Sequence, residues 1–282
     1  MLGQITPLIL TLNEGPNIGR TLEQLRWASD IVVVDSFSDD GTPEIIDRFP
    51  QARVFQRKFD SHEAQWNFAL RETGVCSEWV LALDADYILT PAFIEELKCL
   101  NPEADVNGYS AGFVYCINGR PLRGSAYPPV TVLYRRAHAV YRQDGHTQRV
   151  AVDGKIESLR SAIRHDDRKP LAHWLQSQAR YMRIEARKLA ESASGDLNRA
   201  DRLRKMRFAA PLVILLYVLI VKRAILDGWA GLFYAFQRTV AELILSLYLV
   251  EDDMRRVGGS RREDAARKMM PEDLVGGAKE QG

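Results

Sequence analysis

The chain has 282 residues, 46% of them hydrophobic and 27% charged, with a formal net charge of +1. This composition excludes a disordered or low-complexity chain and allows one large domain or one domain with an appendage. Cys76, Cys99 and Cys116 form no CxxC pair, so neither a disulfide framework nor a zinc site is expected, and a reducing cytosol fits best.

The N-terminal MLGQITPLILTLNEG lacks a basic leader and a long apolar run, so it reads as a first strand and export is not expected. PLILTLNE (7–14) has a buried-strand pattern, and PNIGRTLEQLRWA (16–28) has helical spacing at Ile18, Leu22 and Leu25. IVVVDS (31–36) is a β-branched strand, DGTPEIIDRF (40–49) a turn and helix with Pro43 near its start, and ARVFQRKF (52–59) a strand. SHEAQWNFALRET (61–73) is a helix capped by Ser61, WVLALDAD (79–86) a strand, and PAFIEELKCL (91–100) a helix. Strand–helix alternation with short links predicts an α/β fold with a mainly parallel sheet covered by helices. GYSAGFVYCING and VTVLYRRAHAVY flank the Gly/Pro-rich GRPLRGSAYPP and continue the sheet irregularly. From 170 the pattern is helical, with Leu171, Leu175, Met182 and Leu189 apolar against a basic face. RADRLRKMRF (199–208), FAAPLVILLYVLIV (208–221) and WAGLFYAFQRTVAELILSLYLV (229–250) follow, and the charged, Gly-rich tail 255–282 is expected to be disordered.

In open parallel sheets, ligands bind beyond the carboxyl ends of the strands. Three predicted strands end there in polar groups: Thr11, Asn13 and Glu14; Asp35 and Ser36; Asp84 and Asp86. In a continuous strand, Asp84 and Asp86 share one face. Adjacent carboxylates repel unless a cation or a proton intervenes. Mg²⁺ or Mn²⁺ suits such oxygens and is commonly shared with substrate phosphates. The sequence has no Walker lysine motif and no GxGxxG after its first strand. The pattern therefore points to a nucleoside diphosphate held through a metal, with Asp35 placed to hydrogen-bond base or ribose.

LILTLNEGPNIGRTLEQL, VVVDSFSDDGT, HEAQWNFAL and WVLALDAD, in that order, resemble the pattern of family 2 glycosyltransferases with the GT-A fold. The closer likeness is to small enzymes of lipopolysaccharide-core and related lipid-linked glycan synthesis, and it covers residues 5 to 250 or so. The resemblance implies that Thr11, Asn13, Glu14 and Asp35 hold the nucleoside and that Gln65 and Asn67 line the donor pocket. It implies that Asp84 approaches the ribose or the metal, and that Asp86 is the direct metal ligand.

It also implies inverting transfer, in which a base takes the acceptor hydroxyl proton and a metal stabilises the departing nucleoside diphosphate. Related enzymes often carry Val-His-Glu before Val-Asp-Gly, with the Glu as base. Here DGHTQRVAVDG (144–154) places Gln148 at that position, and glutamine cannot act as a base. Asp144, and after it His146, is expected to take the role; the plain alternative is that both are loop residues. In IRHDDRK (163–169), His165 resembles the extra metal ligand of several GT-A enzymes and is assigned to metal or diphosphate. Asp166 and Asp167 can cap the next helix. Arg135, Arg149 and Arg168 are unranked candidates for diphosphate oxygens.

Residues 180–223 hold eleven Lys/Arg against four Asp/Glu, so the rest of the chain is net acidic. The run 208–221 is short of the roughly 20 residues needed to span a bilayer. The 229–250 segment sets Arg238, Glu242 and Ser246 on one stripe, with Arg238 and Glu242 spaced to pair. Packing on the catalytic domain and a two-span hairpin are alternatives to the preferred reading, a hairpin lying in the membrane interface. There, 199–207 would bind anionic headgroups. The expected organisation is a GT-A catalytic domain (1–168, with a nucleotide-sugar half 1–100 and an acceptor half 101–168), a helical membrane-interface region (169–254) and the tail. The expected function is metal-dependent inverting transfer at the cytoplasmic membrane face. The donor would be a nucleotide-sugar, UDP-sugar favoured, and the acceptor lipid-linked or lipopolysaccharide-type, with no nucleic-acid partner. The alternatives are a sugar-phosphate nucleotidyltransferase, for which TLNEGPNIGR is a poor phosphate loop, and a non-catalytic membrane scaffold, for which Gln148 argues.

Overall fold

The computed structural model describes residues 1–144, 147–192, 197 and 199–268, with backbone alone at 143–144, 147–148 and 256–268. Strands β1 (Ile5–Thr11), β2 (Ile31–Asp35), β3 (Ala52–Gln56) and β4 (Trp79–Asp84) run parallel in the order β4-β1-β2-β3. Their period of two divides the core. Ile9, Ile31, Val33, Leu81 and Leu83 pack with Leu22 of α1 (Ile18–Glu23), Ile46 of α2 (Thr42–Ile46) and Phe93 of α4 (Pro91–Cys99). Leu8, Val32, Val34, Val80 and Ala82 pack on the other side with Trp66 and Ala69 of α3 (His62–Arg71). A strand covered on both faces needs apolar residues at every step, which is why β2 reads IVVV.

The sheet is mainly parallel, as expected, and mixed only through one reversed strand, β9. β6 (Val106–Ala111), β9 (Val130–Arg135) and β12 (Lys155–Ser158) extend it to the order β12-β6-β9-β4-β1-β2-β3, with β9 antiparallel to both β4 and β6. No helix follows β6, and an antiparallel return needs no helical crossover. A smaller sheet joins β5 (Tyr87–Ile88), β13 (Ile163–His165), β7 (Phe113–Ile117) and β8 (Arg120–Pro121). A separate ribbon pairs β10 (Ala139–Asp144) with β11 (Thr147–Val152).

Local signals hold where a specific bond enforces them. Ser61 Oγ accepts from Ala64 N–H at 3.1 Å, and Gly41, with φ of +84°, makes the left-handed turn into α2 just before Pro43. The helices expected over 16–28 and 40–49 are shorter, because turns take up their ends. β4 stops at Asp84, two residues before the expected end, because Ala85 and Asp86 turn into β5. Thr21 Oγ1 fixes this turn by donating to Ala85 O at 2.6 Å. Strand alternation therefore does not put Asp84 and Asp86 on one face; the turn sets their relation.

The C-terminal part is helical: α5 (Leu171–Glu191), α6 (Arg199–Arg204), α7 (Ala209–Leu216) and α8 (Gly228–Lys268). Met182, Ala186 and Leu189 of α5 pack on Leu245 and Leu249 of α8. Leu122, just after β8, packs with Tyr234 and Ala235 of α8 and with Val218 and Ala224 of the link before it. The expected Arg238–Glu242 pair does not form. Glu242 Oε1 accepts from Arg204 Nη2 at 3.1 Å, and Arg204 also faces Glu185 and Asp201. One guanidinium fork from another helix meets several carboxylates, whereas an (i, i+4) pair would meet one. α8 continues past residue 255, where a disordered tail is expected, as far as Lys268; residues 269–282 lie outside the described residues.

Candidate functional site

The carboxyl ends of β1, β2 and β4 finish level, with Thr11 in register with Asp35 and Leu10 with Asp84. The three predicted polar strand ends therefore share one edge. At its β1–β2 side, the fully buried Asp35 carboxylate accepts from Thr11 Oγ1 at 2.9 Å, Ser38 N–H at 2.9 Å and Ser38 Oγ at 2.5 Å. Ser38 Oγ accepts in turn from Asn13 N–H at 2.8 Å, and Asn13 Oδ1 accepts from Asp39 N–H at 3.0 Å. Asn13 sits at φ +56°, a left-handed conformation that asparagine tolerates. Thr11, Asn13 and Asp35 thus form one frame with Ser38.

Glu14 belongs to a second network, which ties β1–α1 to the segment after β13. Its Oε1 meets Lys169 Nζ at 2.5 Å, and its Oε2 accepts from Asn17 Nδ2 at 2.8 Å. The fully buried Asn17 also donates to Asp167 Oδ1 at 2.8 Å and accepts from Arg168 N–H at 2.9 Å and Arg20 Nη2 at 2.7 Å. Burial pushes the Glu14 carboxyl up to about 7 against the pull of Lys169. Burial lowers Lys169, but Glu14 and Asp167 together outweigh it, so the ammonium is raised as well. Asp166 and Asp167, expected as helix caps, brace this network instead. Asp166 Oδ2 accepts from Arg20 Nη1 at 2.8 Å and Arg168 Nε at 2.9 Å, and its Oδ1 accepts from Gly119 N–H at 2.8 Å. α5 begins after Pro170 with no side-chain cap.

Asp84, Asp86 and His165 come together at the middle of the edge. β13 pairs His165 with Tyr87 of β5 on one side and Tyr115 of β7 on the other. His165 Nε2 lies 3.0 Å from Asp86 Oδ2. The imidazole is enclosed edge-on by Tyr87, Tyr115 and Tyr127 at centroid distances of 5.4, 4.8 and 4.9 Å. The Tyr87 and Tyr127 hydroxyls close the cage at 2.6 Å. Burial, and then the Asp86 charge, push the Asp84 carboxyl up to about 6. Burial pushes Asp86 the same way, but His165 outweighs it and holds that carboxyl below the usual range. Asp86 in turn raises His165 against its own burial.

Two atoms here lack any partner: Asp86 Oδ1 and His165 Nδ1 are both buried without a hydrogen bond. Orphaned buried polar atoms call for an explanation. Among the described residues, no group of three or more His, Cys, Asp or Glu forms a ready-made ligand set. The donors fit instead a hard cation that takes one or two carboxylate oxygens and completes its shell with phosphate oxygens and water, as Mg²⁺ commonly does. Asp86 Oδ1 is the available oxygen.

Gln65 and Asn67, expected to line the donor pocket, are engaged by protein. The fully buried Gln65 donates to Ser36 Oγ at 3.0 Å and Arg57 O at 3.1 Å and accepts from Arg57 Nη1. Asn67 pairs with both backbone groups of Tyr141, donating to its O and accepting from its N–H, each at 3.0 Å. It thereby holds β10, the strand that leads to the candidate bases. His146 and the side chains of Asp144 and Gln148 lie outside the described residues; backbone pairing sets Asp144 opposite Thr147 and Gln143 opposite Gln148. Of the three unranked arginines, Arg168 is bound to Asp166, and Arg135 stacks on Trp79 at 4.7 Å. The sequence reading does not single out Asn17, Thr21, Lys169 or the tyrosine cage. Asn17 and Asp167 meet across 150 residues of chain, which no local pattern marks.

Residues 8–147 match the family model described as Glycosyl transferase family 2. The lipopolysaccharide core biosynthesis glycosyltransferase LpsC of Rhizobium meliloti is 32% identical over 139 residues, covering 47% of this chain and 48% of LpsC. The chain thus spans about half the length of that relative. Among solved structures, S. aureus TarS in complex with UDP has a TM-score of 0.46 at 15% identity, over 89% of this chain and 91% of that one. Glucosyl-3-phosphoglycerate synthase from Mycobacterium tuberculosis, in complex with phosphoglyceric acid, has a TM-score of 0.45 at 16% identity, over 68% and 81%. Likenesses this loose carry no argument about the site.

Proposed function

We propose, from the premise that residues 8–147 place this chain in glycosyl transferase family 2, that its GT-A sheet carries out inverting sugar transfer from a nucleotide-sugar. A UDP-sugar is the favoured donor. A lipopolysaccharide-type or other lipid-linked acceptor is favoured by the likeness to LpsC. One observation carries the reading. Asp86, buried at the ligand-binding edge, has one oxygen on His165 and the other on nothing.

Asp86, with Asp84 beside it, would hold Mg²⁺ or Mn²⁺. When bound, such an ion supplies the charge that stabilises the departing nucleoside diphosphate. His165 orients Asp86 by occupying Oδ2, and the tyrosine cage keeps water from that face. Thr11, Asn13 and Asp35 shape the nucleoside end. Asn67 sets the ribbon that carries Asp144 and His146, either of which would take the acceptor proton.

The membrane reading is supported by the outer side of the C-terminal helices. Phe208, Leu212, Ile220, Val221, Trp229 and Leu247 are all more than half exposed there, Trp229 at 84%. Exposed large apolar side chains in this number are consistent with a docking surface. Ala224–Arg255 is long and apolar enough to cross a membrane by length and composition. Its polar stripe, however, is used inside the protein: Glu242 on Arg204, and Ser246 donating to Arg207 O at 3.0 Å. A helix bound along one side and apolar along the other suits a monotopic or peripheral protein at the cytoplasmic membrane face.

The test is nucleotide release from a panel of sugar nucleotides with Mn²⁺ or Mg²⁺. Asp86→Ala should lower turnover by about a hundredfold or more; undiminished turnover would overturn the assignment. Gln148 favours a second reading, a binding protein that kept the fold. Metal-dependent nucleotide binding with no transfer from any donor would select it.

A further inference from the structure

We propose that Arg238 of α8 is an anion-binding residue of this site, its guanidinium taking phosphate oxygens of a ligand seated beside Asp84 and Asp86. The inference rests on the transferase reading and adds to it a residue well beyond the family-matched segment 8–147.

Arg238 Nε is buried and has no hydrogen-bond partner. Glu242, one helical turn further on, gives its Oε1 to Arg204, and its Oε2 is likewise buried without a partner. One turn earlier, on the same face of α8, the Tyr234 ring packs 4.8 Å from that of Tyr115. Tyr115 in turn packs against His165, which binds Asp86. Tyr234 also fastens the loop that carries Tyr127, by accepting from Ala126 N–H at 2.9 Å. Asp86 Oδ1 and His165 Nδ1 are thus orphaned within this aromatic cluster, and Arg238 Nε is orphaned one helical turn from its Tyr234 member. The Arg238 charge reaches the Tyr115 hydroxyl, where it opposes the effect of burial.

Three cations close to this cluster are already held. Lys169 is on Glu14, and Arg20 and Arg168 are on Asp166. A ligand bringing two or more phosphate charges would meet two aspartates with these three cations already engaged, whereas Arg238 Nε has no partner. A guanidinium fork pairs with phosphate oxygens bidentately, which an ammonium cannot do. The phosphate could be the donor's diphosphate or a phosphate group on a lipid-linked acceptor, and the two sources are separable.

The full chain is titrated calorimetrically with inorganic pyrophosphate and Mn²⁺. In a second arm it is titrated with detergent micelles carrying phosphatidic acid, against phosphatidylcholine micelles as blank. Arg238→Gln should weaken one of the two by about tenfold to a hundredfold. Arg238→Lys, which keeps the charge and loses the fork, should recover part of it. Weakening in the pyrophosphate arm assigns Arg238 to the donor, and weakening in the lipid arm assigns it to the acceptor. Affinities within twofold of the parent in both arms, in variants that melt with the parent, overturn the proposal. Asp86→Ala run alongside keeps the two readings apart. If Asp86→Ala abolishes pyrophosphate binding while both Arg238 variants retain it and lipid binding is unchanged, Arg238 has no role and the transferase reading stands. A parent chain that binds neither probe removes both.

Discussion

Asn67 offers the sharpest test of how this site is built. Its amide forms two hydrogen bonds, each 3.0 Å, with the backbone N–H and O of Tyr141, so α3 serves β10 as an extra strand edge. Asn67→Ala deletes both. Each bond is worth about 0.5–1.5 kcal/mol net, and more where the backbone group left behind is cut off from water. The ribbon cannot simply swing away. The Tyr141 ring is buried, lies 5.0 Å from Trp66 at an interplanar angle of 11°, and its hydroxyl is 3.0 Å from that of Tyr134. The loss should therefore be about 2–3 kcal/mol, which for a chain of this size is a fall of about 3–5 °C in Tm. Asn67→Asp keeps the acceptor but turns a carboxylate toward Tyr141 O, and should cost at least as much. In turnover, kcat should drop by about tenfold to a hundredfold with donor KM within about twofold, because the ribbon holds the candidate bases rather than the nucleotide. Should donor KM rise instead with kcat preserved, Asn67 lines the donor pocket and the reasoning from Tyr141 is wrong.

Lys169→Met strands Glu14 in a site where both side chains are about 15% exposed, so it should cost about 2–4 kcal/mol in urea unfolding. The double variant with Glu14→Gln should recover part of that loss, and strict additivity of the two would show that the ion pair contributes nothing. On the membrane face, Ile220→Ser with Trp229→Ser removes two large exposed apolar side chains. Sedimentation with phosphatidylglycerol vesicles should then weaken by at least about tenfold, and unchanged partitioning would rule out this face as the contact.

The parallel half of the sheet is legible because strands buried on both faces must be written as apolar runs, and IVVV and VLAL are. The level strand ends follow, since Thr11, Asp35 and Asp84 each close such a run. The Asp84–Asp86 relation is read for the wrong reason. A period of two describes a strand that in fact stops at Asp84, and the bond from Thr21 to Ala85 that makes the turn has no local signature. The pairing of Arg238 with Glu242 fails in the same way. Helical spacing shows which partners are reachable, but not that Arg204 arrives from a different helix and takes the carboxylate.

Residues 8–147 bring the Asp35 frame and both aspartates to one edge. What closes it comes later. His165 takes one oxygen of Asp86, Asp167 and Lys169 anchor to Asn17 and Glu14, and Tyr234 packs on Tyr115 behind the imidazole. The last of these contacts belongs to α8, the helix whose opposite side carries Trp229 and Leu247 outward. One helix thus touches the aromatic shell of the carboxylate site on one face and presents apolar side chains on the other. If that outer face meets a bilayer, the carboxylate site is separated from the membrane surface by one helix diameter, about 10 Å, and by the Tyr115–His165 layer. A lipid-linked acceptor could cover that distance without leaving the membrane, whereas a soluble acceptor would gain nothing from it. The same geometry makes the C-terminal helices part of the site rather than a detachable anchor, because removing α8 strips Tyr234 from Tyr115 and exposes the cage around His165.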